Sequence, residues 1–401
     1  MPRAKLAGRL PLSGNELGLV AAIVVVVAVT AVLDSNHNYV SAPWDSFVNI
    51  ARQTAYLGIF SLGAAVVIIS GGIDLSSGSM IAFAGTICAT VMVLLAPDAM
   101  QNAEPLGWGV ISTAIGVTLL VGFLVGTLHA WLITVVGLPP FIATLATLVG
   151  LRSLGRAICE HVTEVAFGGK STQIQIYDPG FRYLATSVWI PCVIFVVLAA
   201  CVWLMLSRTV VGRHIYALGG NEQAARLSGI RTDRVKWLAY CIGTLTSTIA
   251  GILYICDQSV ADPQTLGRGY ELNAIAAAVV GGCSLQGGVG SVPGTVLGAL
   301  FLRTVIDGVA KIIKTGADVY EGLIVGMVVV IAVAFSQFRQ GMGQGKQAFP
   351  GMLGVVAMLT LTVLAAVLAL LVAGRTGAYV AAPAALILLG GLKLIQGRKS
   401  R

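Results

Sequence analysis

Charge is scarce in this chain. Only 10% of its 401 residues are Asp, Glu, Lys or Arg, and histidine occurs four times. Soluble domains carry roughly a quarter of their residues as charged side chains, so an ordinary water-soluble globule is excluded. His37, His129, His161 and His214 stand far apart, with no pair at ligand spacing and no HExxH, which argues against metalloenzyme chemistry. Seven cysteines, an odd number, fall mostly inside apolar runs (Cys88, Cys192, Cys201, Cys241, Cys256, Cys283), where a thiol behaves as a small hydrophobe. A disulfide framework is not implied. A nucleotide loop is also missing. AFGGKST (166–172) imitates the end of one, but the glycine required five residues before Gly169 is Glu164. No nucleophile, base or metal constellation of an enzyme can be assembled, and no cofactor is expected.

What is present is apolar: 57% hydrophobic residues and a mean hydropathy of +0.89. The runs are roughly 18 to 22 residues long, which suits helices crossing a bilayer and not barrel strands of about ten alternating residues. The expected fold is therefore all-α, a polytopic helical membrane protein. Ten core spans are predicted at 17–33, 54–72, 78–96, 107–128, 140–158, 187–206, 236–256, 271–286, 290–311 and 319–336. Two more, at 351–373 and 378–396, follow a glycine-rich basic linker (338–351). On this reading 1–350 is the transmembrane domain and 351–401 an appended hairpin with a basic tail.

The net charge of +8 does not suggest nucleic acid, because the cations gather at span ends and in a few loops. Arg3, Lys5 and Arg9 precede the first run, which is long and lacks a clean cleavage site, so it reads as a retained helix. The loop from Ser207 to Lys236 carries Arg208, Arg213, Arg226, Arg231, Arg234 and Lys236 against Glu222 and Asp233. Excess Lys and Arg mark cytoplasmic loops. Counting spans from this loop places both termini in the cytoplasm and the segments 34–45, 98–104 and 160–186 outside. Lys311, Lys314 and Arg375 are exceptions on the outer face.

Two segments share the pattern Gly-Gly-x-x-Leu-x-x-Gly: GGIDLSSG (71–78) and GGCSLQGG (281–288). Glycine pairs that interrupt hydrophobic runs mark transport pathways between structural repeats, since unwound backbone at membrane depth must be buried in protein or line a watery cavity. Gly71, Gly72, Asp74, Ser76, Ser79, Gly281, Gly282, Ser284 and Gln286 are the candidate pathway residues. Asp74 admits two readings, a functional intramembrane carboxylate or a group that caps the helix starting near Ser76. Glu271 and Asn273 stand at the mouth of another apolar helix, where an acid complements the macrodipole or serves the passage. Pro139-Pro140 ends one helix and starts the next. The pairs Gly122/Gly126, Gly294/Gly298 and Gly322/Gly326 permit close helix crossings without saying which helices meet.

The loop GGNEQAARLSGIRTDRV (219–235) predicts a short helix. Asn221 is a good N-cap, Glu222 suits a helix start, Ala224, Ala225 and Leu227 form a small apolar patch, and Gly229 suits a left-handed end. So short a helix needs packing, on its own protein or in a partner's groove.

Taken together, GGIDLSSGSMIAFAG (71–85), PPFIATLATL (139–148), GGNEQAARLSGI (219–230) and GYELNAIAAAVVGGCSLQGGVGSVPGTVLGAL (269–300) resemble the permease subunit of ribose- and xylose-type ABC sugar importers. The four motifs occur in order and cover most of 45–336. The resemblance implies ten core helices, a pair of permease copies, a cytoplasmic ATPase with tandem nucleotide-binding domains, and a periplasmic or lipid-anchored sugar-binding protein. It also implies that Asn221, Glu222, Ala225, Arg226, Leu227, Gly229 and Ile230 form the coupling helix on the ATPase, in a bacterial inner-membrane assembly. The 351–396 hairpin and the long polar 160–186 loop depart from that pattern. Relatives with these motifs also carry galactosides, autoinducer sugars and nucleosides, and an ion-coupled secondary transporter shares broken helices.

Overall fold

The computed structural model describes residues 14–312 and short stretches between 322 and 390. The chain divides into two compact units, Met1–Val329 and Val330–Arg401. In the second unit the described residues include helical stretches at 358–363 and 383–387. The basic leader, most of the span expected at 319–336, the linker, most of the hairpin and the basic tail lie outside the described residues.

Among the described residues the first unit is almost entirely helical. It runs α1 (Gly14–Leu33), α2 (Asn38–Ser41), α3 (Pro43–Ile69), α4 (Ser77–Leu95), α5 (Pro97–Asn102), α6 (Gly107–Thr134) and α7 (Pro140–Phe167). After the two-residue strand β1 (Ile174–Gln175) come α8 (Pro179–Thr186), α9 (Trp189–Arg208), α10 (Val210–Gly220), α11 (Glu222–Leu227) and α12 (Thr232–Gln258). The strand β2 (Val260–Ala261), α13 (Tyr270–Val280) and α14 (Val292–Ile312) follow. Among the described residues seven helices, α1, α3, α4, α6, α7, α9 and α12, are long and apolar enough to cross a membrane.

Three spans form the centre. In α3, α4 and α12 the most apolar windows are 89%, 78% and 78% buried, whereas in α1, α6, α7 and α9 the figures run from 17% to 33%. The outer helices therefore present apolar side chains such as Leu120, Leu124, Val149 and Val197 outward, as lipid contact requires. Glycines set the central spacing. A Cβ added at Gly126 of α6 would lie 2.7 Å from the Cα of Cys241, and one at Gly122 would lie 2.1 Å from Thr248 Oγ1, so this pair serves the crossing of α6 with α12. Likewise Gly294 and Gly298 bring α14 against the carbonyls of Gly281 and Ala277. Among the described residues, added Cβ atoms at Gly322 and Gly326 meet nothing within 4 Å.

Several boundaries differ from those expected. α3 begins at Pro43, well before residue 54, because its polar first half has partners elsewhere in the fold: Asn49 Nδ2 donates to Asp307 Oδ1 at 2.9 Å and Arg52 lies 3.8 Å from Asp257. α6 and α7 run on to Thr134 and Phe167. The span expected over 271–286 is a helix of eleven residues that stops at Val280, too short at about 16 Å to cross a bilayer alone.

The three segments expected on one face do gather at one end. Tyr39 Oη donates to Asp307 Oδ2 at 2.8 Å, the Leu106 amide donates to Asp178 Oδ2 at 2.8 Å, and Tyr56 Oη donates to the Ala185 carbonyl at 3.1 Å. β1 pairs antiparallel with β2 at the same end. Lys311, an exception to the charge rule, sits here 3.0 Å from Asp307 and 4.1 Å from the centre of the Tyr39 ring, so its charge is locally balanced. The end of α3, α11 and the starts of α12 and α14 occupy the opposite end.

Candidate functional site at the glycine junction

Each broken segment ends its helix in the same way. After α3, Gly71 takes φ 84°, its amide donates to Ile68 at 2.9 Å, and the Gly72 amide donates to Val67 at 3.0 Å. After α13, Gly282 takes φ 97°, its amide donates to Val279 at 2.9 Å, and the Cys283 amide donates to Ala278 at 2.9 Å. Both are double hydrogen-bonded left-handed helix stops, which an L side chain would strain. The two sequence patterns are nevertheless out of step by one residue. In the first pair the left-handed glycine comes first, and in the second it comes second. Gly281 is instead required by packing, since an added Cβ would lie 2.4 Å from the carbonyl oxygen of Gly294 in α14.

Beyond the first stop the chain is non-helical through residues 72–76 and resumes as α4. Asp74 is 4% exposed, and its Oδ1 accepts from the Ser76 amide at 2.8 Å and from Ser76 Oγ at 2.6 Å. Ser79 Oγ donates to the Ser76 carbonyl at 2.7 Å. Of the two readings for Asp74, the geometry fits the one in which it shapes the start of α4. It does so by holding Ser76, the residue before the helix. The second loop closes on itself: the Ser284 amide donates to Val289, the Gly287 amide to Ser284, and the Gln286 amide to Ser284 Oγ at 3.3 Å.

Both stops meet the base of α11. The Gly288 amide donates to the Ile69 carbonyl at 2.9 Å, the last residue of α3. Between them lies Gly219 near the end of α10, where an added Cβ would sit 1.9 Å from the Ile69 oxygen and 2.5 Å from the Gly288 nitrogen. Tyr216 of α10 donates its hydroxyl to the Gly290 carbonyl at 2.8 Å, and burial raises its phenol above the ordinary value. A cavity of about 360 Å3 opens beside the junction, lined among others by Gly71, Gly72, Asn221, Lys236, Tyr240 and Gln286. The candidate pathway residues thus divide: Gly71, Gly72 and Gln286 reach the cavity, Asp74, Ser76 and Ser79 form a separate buried hydrogen-bonded turn, and Gly281, Gly282 and Ser284 shape the second loop.

α11 forms as its residues predict. Asn221 Oδ1 accepts from the Ala224 amide at 2.9 Å, and Gly229 takes φ 84° with its amide on Arg226 and the Ile230 amide on Ala225. Glu222 accepts from Lys236 Nζ at 2.7 Å, and Arg226 lies 3.9 Å from Glu222 and 3.7 Å from Asp233. The expected apolar patch is split. Ala225 packs inward at 4% exposure, whereas Ala224 is exposed and Leu227 projects outward at 90%. At a six-residue helix the side chains one and two positions apart cannot share a face.

Two polar groups inside apolar runs, His129 buried and Arg152 half-buried, have partners that the sequence did not predict. His129 of α6 is fully buried, with Nε2 2.7 Å from Thr147 Oγ1 and its ring edge-on to Tyr240. Arg152 of α7 donates to the carbonyls of Pro263, Leu266 and Gly267 at 3.0 to 3.2 Å and so pins the loop that precedes α13. Glu271 complements more than its own helix: an added Cβ on Gly78 would lie 2.1 Å from Glu271 Oε2, which places that carboxylate against the first turn of α4. An isolated cation or imidazole inside an apolar run carries no pattern by which its partners could be read.

A bundle of apolar spans with two interrupted helices meeting a short, exposed connector helix defines a polytopic membrane transport protein. Residues 46–333 match the family model described as branched-chain amino acid transport system / permease component, and the chain belongs to that family. It is 35% identical to the ribose import permease protein RbsC of Escherichia coli K12, over 77% of this chain and 89% of that protein. It is 33% identical to the ribose import permease protein RbsC of Bacillus subtilis 168, over 72% and 83%. With the xylose transport system permease protein XylH of Escherichia coli K12 the identity is 31%, over 80% and 94%. No solved structure matches the chain.

Proposed function

We propose that the chain is the membrane subunit of an ATP-driven importer for a monosaccharide of the ribose or xylose kind. The sugar class follows from the relatives named as ribose and xylose permeases, which the chain matches over most of their length. In this reading α11 faces the cytoplasm and is held by an ABC ATPase with tandem nucleotide-binding domains. A periplasmic or lipid-anchored sugar-binding protein docks on the opposite end, and a second permease copy completes the passage. Both termini are cytoplasmic, and the site is the bacterial inner membrane.

The observation that supports coupling through α11 is the junction at its base. Backbone is pressed against backbone at Ile69, Gly219 and Gly288, so little side-chain play separates the connector from either broken segment. A movement of α11 is passed to both segments at once, and the passage alternates between outward and inward openings. No covalent chemistry occurs in this chain. A neutral, hydroxyl-rich solute passes a lining of backbone groups, serines and small residues without a charged cage.

Uptake by reconstituted vesicles tests the reading. Ribose or xylose should accumulate only when the chain, its ATPase, its receptor and ATP are all present. Uptake by this chain alone, following a proton or sodium gradient, would make it a secondary transporter. A nucleoside or an autoinducer sugar taken up in place of the pentoses would keep the machine and change the cargo.

A further inference from the structure

The start of α12 is more basic than a helix start should be. Arg231 is its N-cap and Arg234 lies in the first turn, where positive charge opposes the helix macrodipole. Nearby charges have other partners: Lys236 lies 2.7 Å from Glu222, and Asp233 lies 3.7 Å from Arg226. Arg231 and Arg234 are both exposed and make no ion pair among the described residues.

Both line a groove of about 610 Å3 between α10 and α12, together with Val211, His214, Ile230 and Trp237. Polarity changes along its length. The arginines stand at the beginning of a membrane span, and Trp237 stands further along the same helix, about 9 Å beyond Arg231 and about 5 Å beyond Arg234. The Trp237 ring is fixed as a wall, donating Nε1–H to Thr127 Oγ1 at 3.1 Å and meeting Phe123 edge to face at 5.7 Å. A cationic mouth at the span end and an apolar wall deeper in the bilayer repeat the gradient of a phospholipid.

We propose that this groove is a binding site for a phospholipid with an anionic headgroup, its phosphate between Arg231 and Arg234 and its acyl chain along Val211 and Trp237. The site lies apart from the glycine junction and borders the coupling helix through Gly229 and Ile230. Basic pockets between spans at the cytoplasmic face are suited to such headgroups.

Native mass spectrometry of the full chain in detergent, with dioleoyl phosphatidylglycerol or dioleoyl phosphatidylcholine added, tests the assignment. The wild-type chain should retain phosphatidylglycerol preferentially, by about fivefold for each arginine engaged, and the preference should fall as salt is raised. R231Q/R234Q should lose it. Val211→Trp, which fills the groove and leaves both arginines in place, should lose it as well, so that a folding defect in one variant does not decide the matter. Equal retention of the two lipids by the wild type, or full preference in both variants, overturns the proposal. So does an R231Q/R234Q chain that keeps its lipid preference but no longer captures the ATPase, which would assign the arginines to the motor.

Discussion

The amide of Gly288 donates a hydrogen bond to the carbonyl of Ile69, so the loop before α14 is fastened to the last turn of α3. Gly219 lies against both atoms, with room for hydrogen and nothing larger. Gly219→Ala should therefore open the contact, because the opposing atoms are backbone and cannot rotate away. Overpacking of this kind costs about 1–3 kcal/mol. ATP-driven uptake should fall about tenfold or more, while Gly220→Ala next to it, with nothing within 4 Å of the added Cβ, should transport normally. Equal uptake by the two variants would remove the junction from the coupling route.

Gly229 is a case of conformation without crowding. Its φ is 84° and an added Cβ would meet nothing within 4 Å, so any penalty for a side chain is carried by the backbone. Gly229→Val should strain the end of α11 by about 1–3 kcal/mol, insert into the membrane normally, and uncouple ATP hydrolysis from uptake. Gly229→Asn should retain most activity, because Asn tolerates the left-handed region. Measuring hydrolysis and uptake together in both variants checks this, and a fully active valine variant would discount the docking role.

Leu227 projects into solvent at 90% exposure, on a helix held by Ala225 and by Lys236 through Glu222. Leu227→Ala should leave the melting temperature of the isolated chain almost unchanged, within about 0.5 kcal/mol of stability. If the side chain fills a pocket on the ATPase, affinity should drop about tenfold or more, as for a buried interface anchor. Titration of the purified ATPase against the variant in nanodiscs gives that number, and unchanged affinity would place the contact elsewhere.

These residues show what the sequence could reveal. The cap at Asn221 and the stop at Gly229 were legible because each acts within a few residues of its own position. The split between Ala225 and Leu227 was not, since a patch of small and large apolar residues says nothing of which side faces the protein. The start of α3 at Pro43 depends on Asp307 and Asp257, whose partnership with Asn49 and Arg52 leaves no local pattern. The two glycine motifs were visible as strings, but their one-residue offset follows from α14 pressing on Gly281, and their meeting at Gly219 is a property of three distant segments.

Asp74 separates charge from shape. Its Oδ1 accepts two hydrogen bonds from Ser76, at 2.8 and 2.6 Å, in a buried turn. Asp74→Asn keeps an acceptor oxygen at that place and should fold and transport at close to the wild-type rate. Asp74→Ala leaves the Ser76 amide and hydroxyl without their acceptor, at about 1–3 kcal/mol for each unsatisfied group, and should lower the melting temperature measurably. The discriminating result is an asparagine variant with a normal melting temperature and no uptake. The turn would then be intact and the lost property could only be the negative charge, which would move Asp74 from shaping α4 to acting on what passes through the membrane.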